Sequence, residues 1–130
     1  MFSLNLKQWM AKVTDAICPH KYEVVTTGNY GSLNGATYNY IIVTGKQVTL
    51  HLWVKNLSTT VSSESCIARI PAQYAPSHNV YFSPNWTART TTYVSSPYAL
   101  VQSNGNILCS ASVVSNASQI LGTCTWFIGE

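Results

Sequence analysis

Apolar and polar residues alternate along most of this chain, and the clearest example is QVTLHLWVK at residues 47–55. Alternation with a period of two is typical of a strand that buries one face and exposes the other. The turn sequence TGK at 44–46 separates this segment from ATYNYIIV at 36–43, so the two segments are predicted to form a hairpin. The apolar stripe of the second strand consists of Val48, Leu50, Leu52 and Val54.

Further segments share this pattern and are predicted as strands, with a strong turn signal in SNG at 103–105 and a loop at 28–35. The chain would then have about eight or nine short strands at roughly ten-residue spacing, which is typical of an antiparallel sandwich or barrel. The segments are YEVVTT (22–27), CIARI (66–70), NVYF (79–82), TARTTTYV (87–94), YALVQ (98–102), NILCSASVV (106–114) and QILGTCTWFI (119–128).

The amino-terminal segment, residues 1–20, follows a helical period instead, and Pro19 ends the helix. A helix of roughly two heptads is marginal by itself in water, so it needs a packing partner. It either docks on its own domain, residues 21–130, or forms a short parallel coiled coil between identical chains, and we favour the coiled coil. The predicted stem seam consists of Phe2, Leu6, Trp9, Val13 and Ala16, with Ile17 beside it.

The composition favours neutral hydrogen-bonding surfaces. Charged residues make up 8% of the chain, against about 25% in an average soluble protein, while Ser, Thr and Asn together contribute 39 residues. Such a surface suits strands, oligomer contacts or neutral polar ligands such as sugars. The net charge of +3 comes without a Lys/Arg-rich run, so we expect no nucleic-acid partner. Polar residues interrupt the first 20 positions, so we expect neither a signal peptide nor membrane insertion.

The four cysteines show no C-x-x-C spacing, which argues against a zinc site. A chain made in a cytoplasm keeps its thiols mostly reduced, so we favour buried free thiols over disulfides. Cys109 and Cys124 flank a predicted hairpin and could face each other across it. The other two cysteines are Cys18 and Cys66.

The segment RIPAQYAPSHNVYF, residues 69–82, interrupts the strand pattern. Pro71 and Pro76 fix φ and remove two backbone donors, so the segment cannot be a central strand. We predict an ordered connection that is anchored by Tyr74. A loop stiffened in this way loses less entropy when it meets a partner.

Together with VTGKQVTLHLWVKNL (43–57), ALVQSNGNILCSA (99–111) and the closing WFIG (126–129), RIPAQYAPSHNVYF resembles the carboxy-terminal head domains of bacteriophage tail fibres and receptor-binding (baseplate) proteins. In that family a G-x-x-V-T-L strand, an L/I-P-x-x-Y-x-P-S turn and a strand after x-x-N-G recur in this order. The match covers roughly residues 36–128. The resemblance implies a jelly-roll-like antiparallel β-sandwich that assembles as a homotrimer on a helical or fibrous stem, here residues 1–20.

The residues offer little for catalysis. Glycan hydrolysis usually needs two carboxylates at a set separation, and the region after residue 20 holds only Glu23, Glu64 and Glu130, with nothing to mark a pair. No nucleophile motif such as G-x-S-x-G occurs. We therefore expect no enzymatic activity, no cofactor and no metal. The histidines His20, His51 and His78 lack metal-ligand spacing, and a hydrogen-bonded structural role is favoured for His51.

Binding has better candidates, because sugar recognition combines an aromatic face with hydrogen-bonding groups. Trp86 is equally compatible with a ligand site and with a subunit contact. For Trp53, burial at a subunit interface is favoured over ligand contact, and Trp126 and Phe127 are predicted to lie in the core. The predicted ligand-binding set, gathered around a loop at 77–89, is His78, Tyr81, Asn85, Trp86 and Arg89.

The leading hypothesis is a phage or prophage virion protein, a trimeric receptor-binding head that attaches to a host-surface saccharide. It would contact other baseplate or capsid proteins through its amino-terminal helix. A capsid head-fibre or decoration protein of the same fold is the alternative, and a glycan depolymerase ranks lowest.

Overall fold

The computed structural model describes residues 5–26, 32–33, 39–55, 65–88, 98–110 and 117–129. Within these ranges the chain forms one α-helix, one 3-10 turn and eleven strands in two antiparallel sheets, which confirms a mainly β fold. The elements are α1 (Leu6–Ile17), β1 (His20–Glu23), β2 (Val25–Thr26), β3 (Ser32–Leu33), β4 (Tyr40–Thr44), β5 (Gln47–Lys55), β6 (Ser65–Arg69), the 3-10 turn (Ala72–Tyr74), β7 (Val80–Phe82), β8 (Asn85–Ala88), β9 (Ala99–Val101), β10 (Asn106–Cys109) and β11 (Ala117–Phe127).

The strands divide between sheet one, in the order β1-β4-β5-β11-β8 with β3 paired to β5, and sheet two, in the order β2-β6-β10-β9-β7. The predicted hairpin is confirmed: β4 and β5 pair through a tight turn in which Gly45 has φ 60. The second predicted turn is also confirmed, since Gly105 has φ 90 and its N–H donates to the carbonyl of Gln102 at 3.0 Å. Both turns need positive φ, which glycine adopts without a steric cost.

Both sheets contribute inward side chains to one hydrophobic core. The alternation predicted for β5 is confirmed, because its apolar stripe is buried while the intervening side chains are only partly so. Trp126 is buried as predicted, but the prediction for Phe127 is wrong: its side chain is 50% exposed, because adjacent residues of a strand point to opposite faces. The largest fully buried side chains are Ile41, Leu50, Ile67, Leu100, Ile107, Ile120, Val48, Val54 and Val101.

The predicted single strand at 22–27 is wrong, because the chain changes sheets within it. β1 pairs with β4 in sheet one, whereas β2 pairs with β6 in sheet two. The crossing residue, Val24, is buried, and its N–H donates to the carbonyl of Asn39 at 3.1 Å. Val24 therefore bonds to the chain next to β4, whereas Val25 belongs to β2 of sheet two. An alternation with a period of two cannot reveal such a change of sheet.

The side chain of Asn39, the residue that precedes β4, continues the hydrogen-bond ladder between β4 and β5. Its Nδ2 donates to the carbonyl of Trp53 at 3.1 Å, and its Oδ1 accepts from the N–H of Trp53 at 2.8 Å. Asn39 is 1% exposed, and a buried amide needs such partners. It joins the crossing at Val24 to the middle of sheet one.

Gly122 lies where the two sheets approach each other closely. A Cβ at this position would come within 2.7 Å of Cε2 in the Phe82 ring and within 3.7 Å of Cα in Pro84. The absence of a side chain on β11 therefore makes room for the aromatic ring that β7 contributes.

Helix α1 begins with a reciprocal cap. The N–H of Gln8 donates to Oδ1 of Asn5 at 2.9 Å, and the N–H of Asn5 donates to Oε1 of Gln8 at 3.4 Å. The predicted helix is thus confirmed from Leu6 to Ile17, although Phe2 lies outside the described residues and only the backbone of Ile17 is described. No described helix is long and apolar enough to cross a membrane.

All four cysteines are free thiols, as predicted, but Cys18 and Cys66 are only partly buried, and the arrangement predicted for the other two is wrong. Cys109 ends β10 of sheet two and Cys124 lies in β11 of sheet one, so the two strands form no hairpin. Both side chains are buried in the core. Burial raises the pKa of the Cys109 thiol to about 12 and that of the Cys124 thiol to about 11, because a thiolate loses its hydration there.

Candidate ligand-binding surfaces

The proline-containing connection is ordered and is anchored at Tyr74, as predicted. The N–H of Tyr74 donates to the carbonyl of Pro71 at 3.0 Å and closes the 3-10 turn. The Tyr74 ring stacks on Tyr22 of β1 with centroids 4.5 Å apart. Its carbonyl accepts the indole N–H of Trp126 at 2.7 Å. The connection is therefore held at two points, by Tyr22 on β1 and by Trp126 near the end of β11.

Beside this connection lies a cleft of about 180 Å³, which we call the proline cleft. Its exposed members are Ser77, His78 and Phe127, and the buried Trp126 also contributes to the lining. Apolar residues predominate here, beside one imidazole and one hydroxyl group. The complete lining is Pro76, Ser77, His78, Val80, Trp126 and Phe127.

A second groove, of about 170 Å³, lies on the face of sheet one that points away from the core. We call it the outer groove. The register of three adjacent strands places Trp53 of β5, Leu121 of β11 and Asn85 of β8 in one row across the sheet. In the next row Thr123 lies opposite His51. The complete lining is His51, Leu52, Trp53, Asn85, Leu121, Gly122 and Thr123.

The indole of Trp53 has a fixed position at this groove. Its Nε1 donates to Oε1 of Gln119 at 2.9 Å, and its backbone is held by Asn39. In the adjacent row, the His51 ring lies 4.8 Å from that of Tyr40, and the hydrogen-bonded role predicted for this histidine stays a prediction. The groove thus offers an immobilised aromatic face beside neutral donors and acceptors, which is the chemistry that binds sugar rings.

The structure does not gather the predicted ligand-binding residues into one loop, and that interpretation is corrected. His78 lines the proline cleft, and Asn85 lines the outer groove. Tyr81 lies on β7 of sheet two, 63% exposed, with its ring centroid 6.0 Å from that of Tyr98. The chain passes from sheet two to sheet one between β7 and β8, which separates these side chains.

Two members of the predicted set are described less fully. Trp86 belongs to strand β8, not to a loop, and its backbone pairs with Ile120; its side chain lies outside the description. The strand predicted at 87–94 in fact begins at Asn85. Arg89 lies outside the described residues. The role predicted for both residues stays a prediction.

Sequence reasoning missed the outer groove as a unit. The alternation of β5 did place His51 and Trp53 on the outward face, but it could not supply their neighbours. Those neighbours, Leu121, Thr123 and Asn85, come from strands more than thirty positions away along the chain, and only their register brings them together. The Gln119 contact that fixes Trp53 depends on the same register.

Charged and metal-ligating groups are sparse at both surfaces. In the part of the chain that the structure describes, no three His, Cys, Asp or Glu side chains are grouped closely enough to hold a metal ion. Glu23 is exposed on β1, and Glu64 and Glu130 lie outside the described ranges. What the two surfaces can do chemically is to stack on a ligand and exchange neutral hydrogen bonds with it.

The comparison with known proteins adds no relative to this picture. No family model matches the chain, and neither does any curated protein or solved structure. The resemblance to phage receptor-binding heads therefore depends on the motifs in residues 36–128 alone and stays a prediction.

Proposed function

We propose that this protein is the trimeric receptor-binding head of a bacteriophage or prophage virion, which attaches to a host-surface saccharide without cleaving it. In this proposal the two sheets form a jelly-roll-like β-sandwich and α1 forms the stem. The stem also joins the head to other baseplate or capsid proteins. The threefold stoichiometry and the virion location follow from the resemblance in residues 36–128.

The exposed apolar face of α1 is the observation that carries the proposal. Leu6 is 70% exposed, Trp9 50%, Met10 54% and Val13 38%. Among the side chains that the structure describes, none from this helix, residues 6–13, belongs to the core between the sheets. Exposed apolar side chains at helical spacing favour burial against other helices. Equivalent helices of identical chains supply such a surface, and they match it by symmetry.

A saccharide ligand is supported by the chemistry of the outer surfaces. Both the outer groove and the proline cleft combine aromatic rings with hydroxyl, amide or imidazole groups. Sheet one also exposes Thr49 and Thr125, whose hydroxyl groups lie 3.1 Å apart and hydrogen-bond to each other. Such a surface binds neutral polar ligands and does not offer the Lys/Arg clusters that phosphate backbones require.

The first experiment measures the solution mass of the protein by light scattering. We expect about 43 kDa, three times the 14.3 kDa of one chain. Trp9→Asp places a carboxylate on the apolar face and should give a monomer of unchanged circular dichroism. Ala11→Asp is the matched control, because it adds the same charge to the same helix on the opposite face. If the wild type is a monomer, or if the Trp9→Asp variant is still a trimer, then α1 does not form the trimer stem through this face.

The second experiment measures binding of fluorescently labelled protein to host bacteria. Wild type and Ala11→Asp should bind, and Trp9→Asp should bind far more weakly, because a monomer loses the avidity of three linked sites. Prior removal of surface polysaccharide from the cells should abolish binding. A trimer that binds no host cells would identify a decoration protein instead, and polysaccharide cleavage would identify a depolymerase.

A further inference from the structure

We infer that the outer groove of sheet one is the saccharide-binding site and that it takes a single uncharged pyranose ring, stacked on Trp53. This inference deepens the proposed function, on which it rests, by naming the site and the ligand class. The sequence alone favoured a subunit interface for Trp53. The geometry of its neighbours points instead to ligand contact.

The first step concerns the position of the indole. Trp53 is only partly buried, although its ring is tied by Nε1 to Gln119 and its backbone by two hydrogen bonds to Asn39. Immobilising a side chain before a ligand arrives reduces the entropy that binding must overcome. An aromatic face held in this way is preorganised for stacking on the apolar face of a sugar ring.

The second step concerns the polar groups opposite the indole. Asn85 lies two strands from Trp53, with the half-buried Leu121 between them. Neighbouring strands are about 4.8 Å apart, so the backbones of these two residues are separated by roughly 10 Å. That interval accepts one sugar ring above Leu121. Thr123 and His51, in the adjacent row, lie at the side of the same space.

The third step concerns charge. None of the groove-lining residues is Asp, Glu, Lys or Arg. Two lysines lie near the groove but outside its lining: Lys21 extends over the Tyr40 ring, with Nζ 4.4 Å from its centroid, and Lys55 follows Trp53 by two positions on the same face of β5. An acidic sugar would have to desolvate its carboxylate above Leu121 without a cation in the lining, which is costly. Hydroxyl groups, in contrast, find amide, hydroxyl and imidazole partners. The lining itself therefore favours neutral pyranosides.

The direct test is a two-dimensional NMR titration that follows the indole N–H resonances. The probes are methyl α-D-glucopyranoside, methyl α-D-galactopyranoside and N-acetyl-D-glucosamine, with N-acetylneuraminic acid as the charged probe. Trp53→Phe assigns the Trp53 signal. We expect a saturable shift of that signal with at least one neutral probe and none with the charged one. The inference is overturned if none of the neutral probes shifts the Trp53 signal, or if only the charged probe does.

The second test compares Trp53→Ala with Val25→Ala, which truncates an exposed apolar side chain on the other sheet. We expect Trp53→Ala to weaken neutral-sugar and cell binding by about tenfold or more, and Val25→Ala to leave both unchanged. The mass of Trp53→Ala should equal that of wild type. If this variant dissociates, Trp53 is a subunit contact and the inference fails.

The two levels of the proposal fail differently. If Trp53→Ala binds host cells as well as wild type does, the outer groove is not the site, but the attachment role stands. If wild-type protein binds no host cells, the attachment role itself fails. Gln119→Ala gives a further readout: as a positioning residue, it should weaken sugar binding without changing the sugar preference.

Discussion

Replacing the buried Asn39 with alanine should destabilise the protein more than the same replacement of the exposed Asn104. The change removes two hydrogen bonds to the backbone of Trp53, at 3.1 and 2.8 Å, from a side chain that is 1% exposed. The carbonyl of residue 39 still accepts from the N–H of Val24, but the side chain no longer ties this chain crossing to β5.

The expected magnitude follows from those two bonds. Removing the partner of a buried backbone donor or acceptor costs about 1–3 kcal/mol. The groups on Trp53 are partly accessible to water, so each loss belongs in the lower half of that range. We therefore expect Asn39→Ala to lower the free energy of unfolding by about 2–4 kcal/mol, a large share of the 5–15 kcal/mol typical of a domain.

Urea unfolding followed by circular dichroism measures this loss, at one fixed protein concentration because subunit association adds to stability. Asn104→Ala is the matched control. Its Oδ1 also accepts a backbone hydrogen bond, from the N–H of Asn106 at 3.0 Å, but in an exposed turn. The control should lose only about 0.5–1 kcal/mol. Equal losses in the two variants would refute the role assigned to burial.

A second variant, Asn39→Asp, tests the donor half of the interaction. An ionised carboxylate cannot donate to the Trp53 carbonyl, whereas the protonated acid can. The stability deficit of this variant should therefore be largest near neutral pH and should shrink as the pH falls toward about 4, where a carboxyl gains its proton. A deficit that grows on acidification, relative to wild type at the same pH, would contradict this geometry.

Three further predictions address the core. Trp126→Phe removes the indole donor to the 3-10 turn and should cost about 2–3 kcal/mol in urea unfolding; a loss below about 1 kcal/mol would show that the turn holds without it. Gly122→Ala sets a Cβ 2.7 Å from the Phe82 ring and should cost about 1–3 kcal/mol, partly recovered when Phe82→Leu is added, as a double-mutant cycle measures. Burial raises the pKa of the Cys109 thiol from 9.0 to about 12 and that of the Cys124 thiol from 9.0 to about 11. The folded state therefore favours the protonated thiols, and this contribution to stability is complete below about pH 9 and is lost as the pH rises toward the two raised values. At pH 8 iodoacetamide should therefore label both only after unfolding, as mass spectrometry would report, and rapid labelling of the folded protein would contradict their burial.

Local patterns predicted the parts of the fold that local physics determines. The β4–β5 hairpin was predicted correctly because a tight turn at Gly45 and strict alternation agree. Helix α1 was predicted because its apolar spacing and Pro19 agree, although the cap between Asn5 and Gln8 was overlooked. That cap has a sequence signature, a polar N-cap residue followed three positions later by Gln.

Sheet membership could not be predicted in the same way. The change of sheet at Val24 and the separation of Cys109 from Cys124 depend on which strands pair, and pairing is decided by packing over the whole core. The candidate site shows the same limit. Trp53 could be placed on an outer face, but its row with Leu121 and Asn85 exists only once β11 lies between β5 and β8.

The position of β11 also has a consequence for how the protein is made. This strand lies between β5 and β8 in sheet one, and its Thr125 meets Thr49 across 76 positions of sequence. A ribosome therefore releases β5 and β8 before the strand that joins them exists, and their native pairing must await translation through residue 127. Such distant pairing folds slowly and leaves apolar strand surface open meanwhile. A nascent chain halted before β11 would display the inward valines and leucines of β5 to any chaperone, or to other unfinished copies of itself.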